Sequence, residues 1–447
     1  MTYLLNTLIP HLYLDSVMLM ELSVVIESQA DVCRAMALMA SKPNLDLLEE
    51  QGLLEPTWEK NAQDGVILAV EAHSETAAQA AAEAGKDLIQ EKKEARRAAP
   101  GAASNAVGTA SSPGIASWRE APADASIAVI SVPGEYAAAE SWKALKAGRH
   151  VVLFSNQVRI EEEAQLKRAA RERGLLLLGA ECGTAILNGI PLGFANLARR
   201  GSIGIVAASG SGLQEVVCLI DRWGGGITHA IGTGGRDLSV KVGGLAMRSG
   251  LELLAEDAET RVIVLLSKPP DPGIAEEILT LVSKIDKPTV VCFLGLSGDL
   301  PQKKNIYPAS TLEETARKAV LLSGLNPGLT GDEANPTETA AANKANQYVR
   351  GLYSGGTLAY EAMLILGDIL GPIYSNAPID AAYRLEKGHF PAENVILDLG
   401  TEEYTSGVPH PMIDGRIRNE FIAAAGADPT VRVILLDVIL GLGSDAN

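Results

Sequence analysis

Three short stretches of this chain carry residues whose types and spacing suit chemistry on an anion. The first is Ser209-Gly210-Ser211-Gly212, a turn of small residues between the apolar run Ile203–Ala207 and the helical pattern Leu213–Trp223. A strand that feeds such a turn into a helix leaves free N–H groups at the positive end of the helix dipole, which suit phosphate or carboxylate. The same turn also occurs for packing alone, and both readings stand. Glu215 is either an acid, base or orienting carboxylate, or a plain helix-start charge. The second stretch follows the strand Thr228–Gly232 and contains Gly234, Gly235 and Arg236. Arg236 either clamps an oxyanion with two parallel N–H bonds or pairs with Asp237 or a helix. The third stretch sets Gly355, Gly356 and Thr357 after the strand Val349–Leu352. Glu361 follows Gly356 by the same five residues that separate Glu215 from Gly210. His410, held between Pro409 and Pro411, is either an acid, base or hydrogen-bond donor, or a loop brace.

The elements that must position these residues read as α/β units. Residues 1–94 alternate helical and strand patterns: Asp15–Ser28 helix, Val32–Met39 strand, Asn44–Gln51 helix, Gly65–Glu71 strand and the Ala-rich helix Thr76–Arg97. Ala98–Pro122 lacks apolar period and reads as a linker. Ala125–Val132, Val151–Ser155 and Leu175–Leu178 read as strands separated by the helices Glu135–Gly148 and Glu161–Arg173. That order implies a parallel sheet with right-handed crossovers. It ends at the Gly179–Thr184 loop, where Cys182 reads as a structural thiol before a nucleophile. The helix Gly250–Glu256, strand Arg261–Ser267, helix Gly273–Lys284 and strand Pro288–Leu294 follow the first glycine turn. Lys268 stands after one of these strands, as a solvated loop lysine or an anion contact. Leu325–Gln347 reads as a second linker.

The chain also repeats itself. Besides the two glycine turns, Ala255–Leu266 resembles Ala425–Asp437, and Gly400-Thr401-Glu402-Glu403 stands where Gly232–Asp237 stands in the first copy. The second copy is incomplete. Val431–Leu440 is nearly all apolar, as a strand buried on both faces would be, and only Gly441–Asn447 follow. An uncovered face or open edge is therefore expected there, to be covered by a second copy, a partner or a longer carboxyl terminus.

Composition narrows the function classes. A length of 447 residues predicts about three domains. Aliphatic residues must build the cores, because hydrophobic content is 47% while aromatic content is 4%. A formal charge of −17 argues against nucleic acid, whose phosphates need Lys and Arg. The cysteines Cys33, Cys182, Cys218 and Cys292 have no metal-ligand spacing, so no metal is expected. No apolar run reaches the length of a membrane span, and a cytoplasmic protein is expected.

These residues carry a resemblance. Asp124–Leu294 resembles the α subunit of succinyl-CoA synthetase and related CoA ligases, through VPGEYAAAESWKALKAG, the GAECG loop, GSIGIVAASGS followed by Glu215, IGTGGRD and DAETRVIVLL. The whole chain, with Asp15-Ser16-Val17 and Val408-Pro409-His410-Pro411-Met412-Ile413-Asp414, resembles the FdrA family more closely still. The resemblance implies an α/β fold of several Rossmann-like or flavodoxin-like parallel-sheet domains with a duplicated CoA-ligase-type domain. The implied division is a small α/β domain over 1–97, a linker over 98–122 and a CoA-binding-like Rossmann half over 123–196. A first ligase-like copy covers 197–325, a linker 326–348 and an incomplete second copy 349–447.

Two departures shape the implied activity. The ligases relay a phosphoryl group through a histidine, whereas the matching loop here is Gly295-Leu296-Ser297-Gly298-Asp299. The glycine-rich loop that holds CoA has no counterpart in residues 1–94, so CoA is not assigned. The FdrA resemblance implies a subunit of oxamate carbamoyltransferase, which converts oxalurate and phosphate to oxamate and carbamoyl phosphate in anaerobic allantoin degradation. That chemistry needs a phosphate site and oxyanion donors and no histidine relay. The alternatives are an ADP- or GDP-forming acyl-CoA synthetase and a non-catalytic scaffold subunit. Expected ligands are phosphate or carbamoyl phosphate. Expected partners are the other subunits of a hetero-oligomer or a second copy of the chain, with neither nucleic acid nor membrane. The residues implied to act are Glu215, Glu361 and His410 as catalytic groups. Ser209–Gly212, Gly234–Arg236 and Gly355–Thr357 are implied to hold the anion.

Overall fold

Aliphatic runs alternate with amphipathic helices along most of the chain, and each pair becomes one strand and the helix that covers it. The computed structural model describes residues 2–12, 14, 16–56, 58, 65–98, 121–296, 304–327, 347–386, 391–405 and 410–439. Most of both expected linkers, Asp15, Ser297-Gly298-Asp299, Val408-Pro409, Leu440 and Gly441–Asn447 lie outside these residues.

The described residues form two compact units. The first contains β1 (Tyr3–Pro10), α1 (Ser16–Glu27), β2 (Val32–Met39), α2 (Lys42–Glu50), β3 (Gly65–Ala72) and α3 (Glu75–Ala98). Its sheet runs β1-β3-β2 with both pairings antiparallel. This differs from the parallel sheets expected throughout. The crossover through α1 leaves a gap one strand wide between β1 and β2. The β3 strand fills it in the opposite sense, because α2 returns the chain without crossing the sheet. The β1 strand is not evident from the apolar pattern, because Asn6 interrupts it. Asn6 is buried, and its side chain binds Leu53 O and Glu55 N instead.

The second unit opens with β4 (Ile127–Ile130), α4 (Gly134–Lys146), β5 (His150–Leu153), α5 (Ile160–Glu172) and β6 (Leu177–Leu178), a parallel sheet ordered β4-β5-β6. A hairpin follows, β7 (Thr184–Leu187) and β8 (Ile190–Gly193). Its Asn188-Gly189 turn has φ of 52° and 77°, the left-handed pair that a tight hairpin requires. Next come β9 (Arg200–Ala208), α6 (Gly210–Arg222), β10 (Ile227–Gly232), α7 (Leu245–Glu256), β11 (Val262–Ser267), α8 (Pro272–Val282), β12 (Thr289–Phe293), β13 (Ile306–Pro308) and α9 (Leu312–Leu322). The seven-stranded sheet is ordered β13-β12-β11-β9-β10-β7-β8 and is parallel from β13 to β10. It is buried on both faces. Leu213, Val216, Val217 and Ile220 of α6 cover one, and Met247, Leu251 and Leu254 of α7 cover the other. That double burial explains strands that read as unbroken aliphatic runs.

A three-stranded parallel sheet completes the unit: β14 (Tyr348–Tyr353), α10 (Gly356–Leu370), β15 (Val395–Asp398), α11 (Glu402–Thr405), α12 (Arg416–Ala427) and β16 (Val431–Leu436). Its order β15-β14-β16 repeats β10-β9-β11, strand for strand. The expected strand Val431–Leu440, buried on both faces, is instead a six-residue edge strand. Among the described residues β16 pairs only with β14, and Val433 and Leu436 remain exposed.

Candidate functional site

The two sheets turn the carboxyl ends of their strands toward one another, the edge at which parallel α/β sheets build sites. The starts of α6 and α10 meet there. Ser209 caps α6 with an extended backbone, and its Oγ accepts the N–H of Gly212 at 3.1 Å. The same Oγ shares a buried 2.6 Å hydrogen bond with Thr357 Oγ1, on the second residue of α10. The Cβ of Ser211 packs on Gly355, where an added Cβ would stand 2.6 Å away. Glycine is therefore required at 355 by the neighbouring helix, independently of any ligand. Six of the expected anion residues, Ser209, Ser211, Gly212, Gly355, Gly356 and Thr357, thus come together.

The two starts are dressed differently. Gly210 is exposed, and nothing lies within 4 Å of the position its Cβ would take. The N–H groups of Gly210 and Ser211 have no hydrogen-bond partner among the described residues. At α10 two carboxylates stand guard. Asp437, after β16, accepts the N–H of Ser354 at 2.8 Å and of Gly355 at 2.7 Å. Arg418 of α12 holds it in turn, donating to Asp437 O at 2.8 Å and to Oδ1 at 3.3 Å. Asp398, the last residue of β15, accepts the N–H of Gly400 on Oδ1 at 3.0 Å. Its Oδ2 lies against Gly356, where any Cβ would overlap it. Burial pushes the Asp398 carboxyl above the usual carboxylate range, Lys268 offsets part of that, and Asp437 adds to it.

His410 braces this corner. Its Nδ1 accepts the N–H of Met412 at 3.2 Å, so the neutral ring carries its proton on Nε2. That Nε2 stands 2.5 Å from where a Cβ on Gly400 would lie. Burial drives the imidazole down to about 4, so it is a neutral donor near pH 7. Glu215 and Glu361 lie a turn deeper. Glu361 Oε1 accepts the N–H of Leu312 at 2.7 Å, the first residue of α9. Its carboxyl is raised by burial, eased by that N–H and raised again by Glu215. Burial raises Glu215 as well. Glu215 thus bears on Glu361, and Glu361 caps α9.

The loop of Gly234, Gly235 and Arg236 takes a different place. Gly234, at φ 87°, backs onto Ala180 O and Gly179, and no other residue fits. Arg236 Nη2 pairs with Glu163 Oε2 of α5 at 2.8 Å and donates to Val158 O at 2.8 Å. Beneath it, buried Lys167 binds Glu163 at 2.8 Å, Asp237 at 2.9 Å and Thr233 O at 2.8 Å. Asp237 then caps α7 through the N–H groups of Ala246 and Met247. The helix-pairing alternative for Arg236 is the one seen. Glu181 links this network to the converging starts. It is exposed by area, yet surrounding protein raises its carboxyl, with Arg236 as the chief offset and Glu163, Glu402 and Lys268 also acting on it. Cys182 is buried and its thiol is pushed up to about 12, which leaves it without nucleophilic character.

Asp398, Asp437 and Arg418 escaped the sequence reading. The signal was present for two of them: Val395-Ile396-Leu397-Asp398 and Leu435-Leu436-Asp437 each end an apolar run in a carboxylate. A charge at that point sits at the site-forming edge of a parallel sheet. Among the described residues there is no group of three or more metal-ligating side chains, and no helix is long and apolar enough to cross a membrane.

Comparison with known proteins gives the following. Residues 1–106 match the AllF heavy metal-associated domain, and residues 352–447 match the CoA-ligase domain. The protein YahF of Escherichia coli is 37% identical over 445 residues, covering 97% of this chain and 84% of YahF. The ADP-forming sulfoacetate-CoA ligase subunit SauD of Bilophila wadsworthia is 27% identical over 45% of this chain and 69% of its own. The ADP-forming succinate–CoA ligase subunit alpha 2 of Archaeoglobus fulgidus is 27% identical over 46% of this chain and 74% of its own. A solved structure, the dinucleotide-forming acetyl-coenzyme A synthetase 1 of Ca. Korarchaeum cryptofilum, is 17% identical with a TM-score of 0.37. It covers 54% of each chain, so this chain spans about half of that one.

Proposed function

The chain belongs to the family of YahF, with a CoA-ligase domain and acyl-CoA synthetase-like relatives, and from that premise we propose that it is the FdrA-type subunit of oxamate carbamoyltransferase. One observation carries the reading: the starts of α6 and α10 converge, and the N–H groups of Gly210 and Ser211 have no partner among the described residues. A phosphate or the phosphate end of carbamoyl phosphate seated on them gains the helix dipole and two N–H donors. The same donors stabilise charge that develops on an oxygen during carbamoyl transfer. Neutral His410 and Lys268 complete the rim. Glu215 acts by orienting this frame, while Arg236 holds the loop beside it through Glu163. The ligase relatives are themselves named as subunits, which supports partner chains here.

The reading is tested by incubating the chain and its co-encoded partners with carbamoyl phosphate and oxamate. Oxalurate and phosphate are the expected products, and their absence overturns it. The relatives' names favour a second reading, an ADP-forming acyl-CoA ligase. Under that reading the assembly would form an acyl-CoA from acid, CoA and ATP. The Gly295–Asp299 loop offers no imidazole for phosphorylation, so no acid-labile phosphate is expected on the chain.

A further inference from the structure

We propose that Asp398 is the proton donor and acceptor of the converging helix starts, with the exchanged proton on Oδ2. This rests on the carbamoyl-transfer reading for its chemistry, and on the geometry for its assignment. Asp398 is buried, and Oδ1 is committed to the N–H of Gly400 at 3.0 Å. The backbone of the residue is fixed too: its N–H donates to Asn376 Oδ1 at 2.9 Å, and its carbonyl accepts from Asn376 Nδ2 at 2.9 Å. Only Oδ2 is left to exchange a proton, and it lies against Gly356, the first residue of α10.

The neighbouring charged and titratable groups are Lys268 after β11, Asp437 after β16 and His410 beside Gly400. Of the two carboxyls at this helix start, Asp437 is the one that holds Arg418 and two backbone N–H groups. Asp398 has one N–H on Oδ1 and a second carboxyl nearby, and its burial favours the protonated form. A carboxyl whose protonated form is favoured by burial is suited to act as an acid.

The reaction needs such a group. A phosphate oxygen bonds to the ureido carbonyl carbon of oxalurate. The C–N bond then breaks with its electron pair on nitrogen, and that nitrogen takes the proton from Asp398 Oδ2 to give the amide of oxamate. The proton that hydrogen phosphate gives up on forming carbamoyl phosphate restores Asp398, so the step is balanced. Amide nitrogen leaves poorly without that proton.

The test pairs two readouts on the wild type and Asp398→Asn, which keeps an oxygen for the Gly400 N–H. Calorimetry of inorganic phosphate binding, repeated in buffers of different ionisation enthalpy, reads proton uptake. Phosphate exchanges protons of its own, so the difference is read: the wild type should take up more protons per phosphate than the variant. Equal uptake, or no phosphate binding by the wild type, overturns the assignment. In the assembled enzyme, kcat for oxalurate phosphorolysis should fall on the order of 100-fold in Asp398→Asn with KM nearly unchanged. Lys268→Met should move the alkaline fall of kcat to higher pH, because Lys268 favours the ionised carboxylate. Unchanged kcat in Asp398→Asn overturns the assignment. If the wild-type assembly makes no carbamoyl phosphate, the carbamoyl-transfer reading fails by itself, and the calorimetry alone decides for or against Asp398.

Discussion

The starts of α6 and α10 share an opening glycine and a glutamate five residues on and meet within one hydrogen bond, yet their carboxylate surroundings differ. Each follows a parallel strand. At α10 the anion is built in: Asp437 takes two N–H groups, and Asp398 fills the space beside Gly356. At α6 nothing among the described residues lies within 4 Å of where a Cβ on Gly210 would stand, and Gly210 is exposed. A helix dipole that already has its counter-charge has little left for a ligand, whereas an unanswered one attracts it. One start is therefore answered by the chain's own carboxylates and, among the described residues, the other is not. The two are tied together by the hydrogen bond between Ser209 and Thr357.

The sharpest way to break this contrast is to remove the built-in anion. Asp437→Ala leaves two buried N–H groups without their acceptor and Arg418 without its carboxylate partner, and should cost about 3–5 kcal/mol by chemical denaturation. A cost below about 1 kcal/mol would mean that the α10 start needs no counter-charge. Gly356→Ala drives a methyl into Asp398 and should cost about 1–3 kcal/mol. Gly210→Ala meets nothing and should stay within about 0.5 kcal/mol of the wild type. Equal costs for the two alanines would erase the distinction between the starts.

A pH titration sharpens the same corner. His410 has its proton affinity depressed in the folded state, to about 4. Its contribution is therefore complete above the unfolded value near 6.5 and is lost as pH falls from there through about 4. Wild-type stability should drop across that window by as much as about 3 kcal/mol from this group. In His410→Asn, whose Oδ1 replaces Nδ1 as acceptor for Met412, the drop should shrink. Asp398 has the opposite sign. Its raised pKa contributes stability at acid pH that is lost as pH rises through the folded value, so Asp398→Asn should flatten that fall. Parallel stability–pH curves for each variant and the wild type would contradict these assignments.

Much of this was legible in the residues. Strands buried on both faces announce themselves as aliphatic runs, and the paired glycine turns placed α6 and α10 at equivalent points. What stayed hidden depends on what meets in space. Gly234 looks like an anion loop but packs on Ala180, and Glu361 looks catalytic but caps α9. Asp398 and Asp437 gain meaning only when β15 and β16 flank β14 and bring both carboxylates to one helix start. The antiparallel β1-β3-β2 sheet was hidden for a similar reason. Strand direction depends on whether the connecting helix crosses the sheet, and periodicity does not record it.

The central claim is that the α6 start is the vacant anion seat. Gly210→Asp tests it most directly, because it gives α6 the carboxylate that α10 already has. A carboxylate there suits the helix dipole, so the variant should be as stable as the wild type or more so, by about 0.5 kcal/mol. Titrating both proteins with inorganic phosphate by calorimetry should show binding to the wild type and none to the folded variant. Equal phosphate affinity in the two would contradict the account.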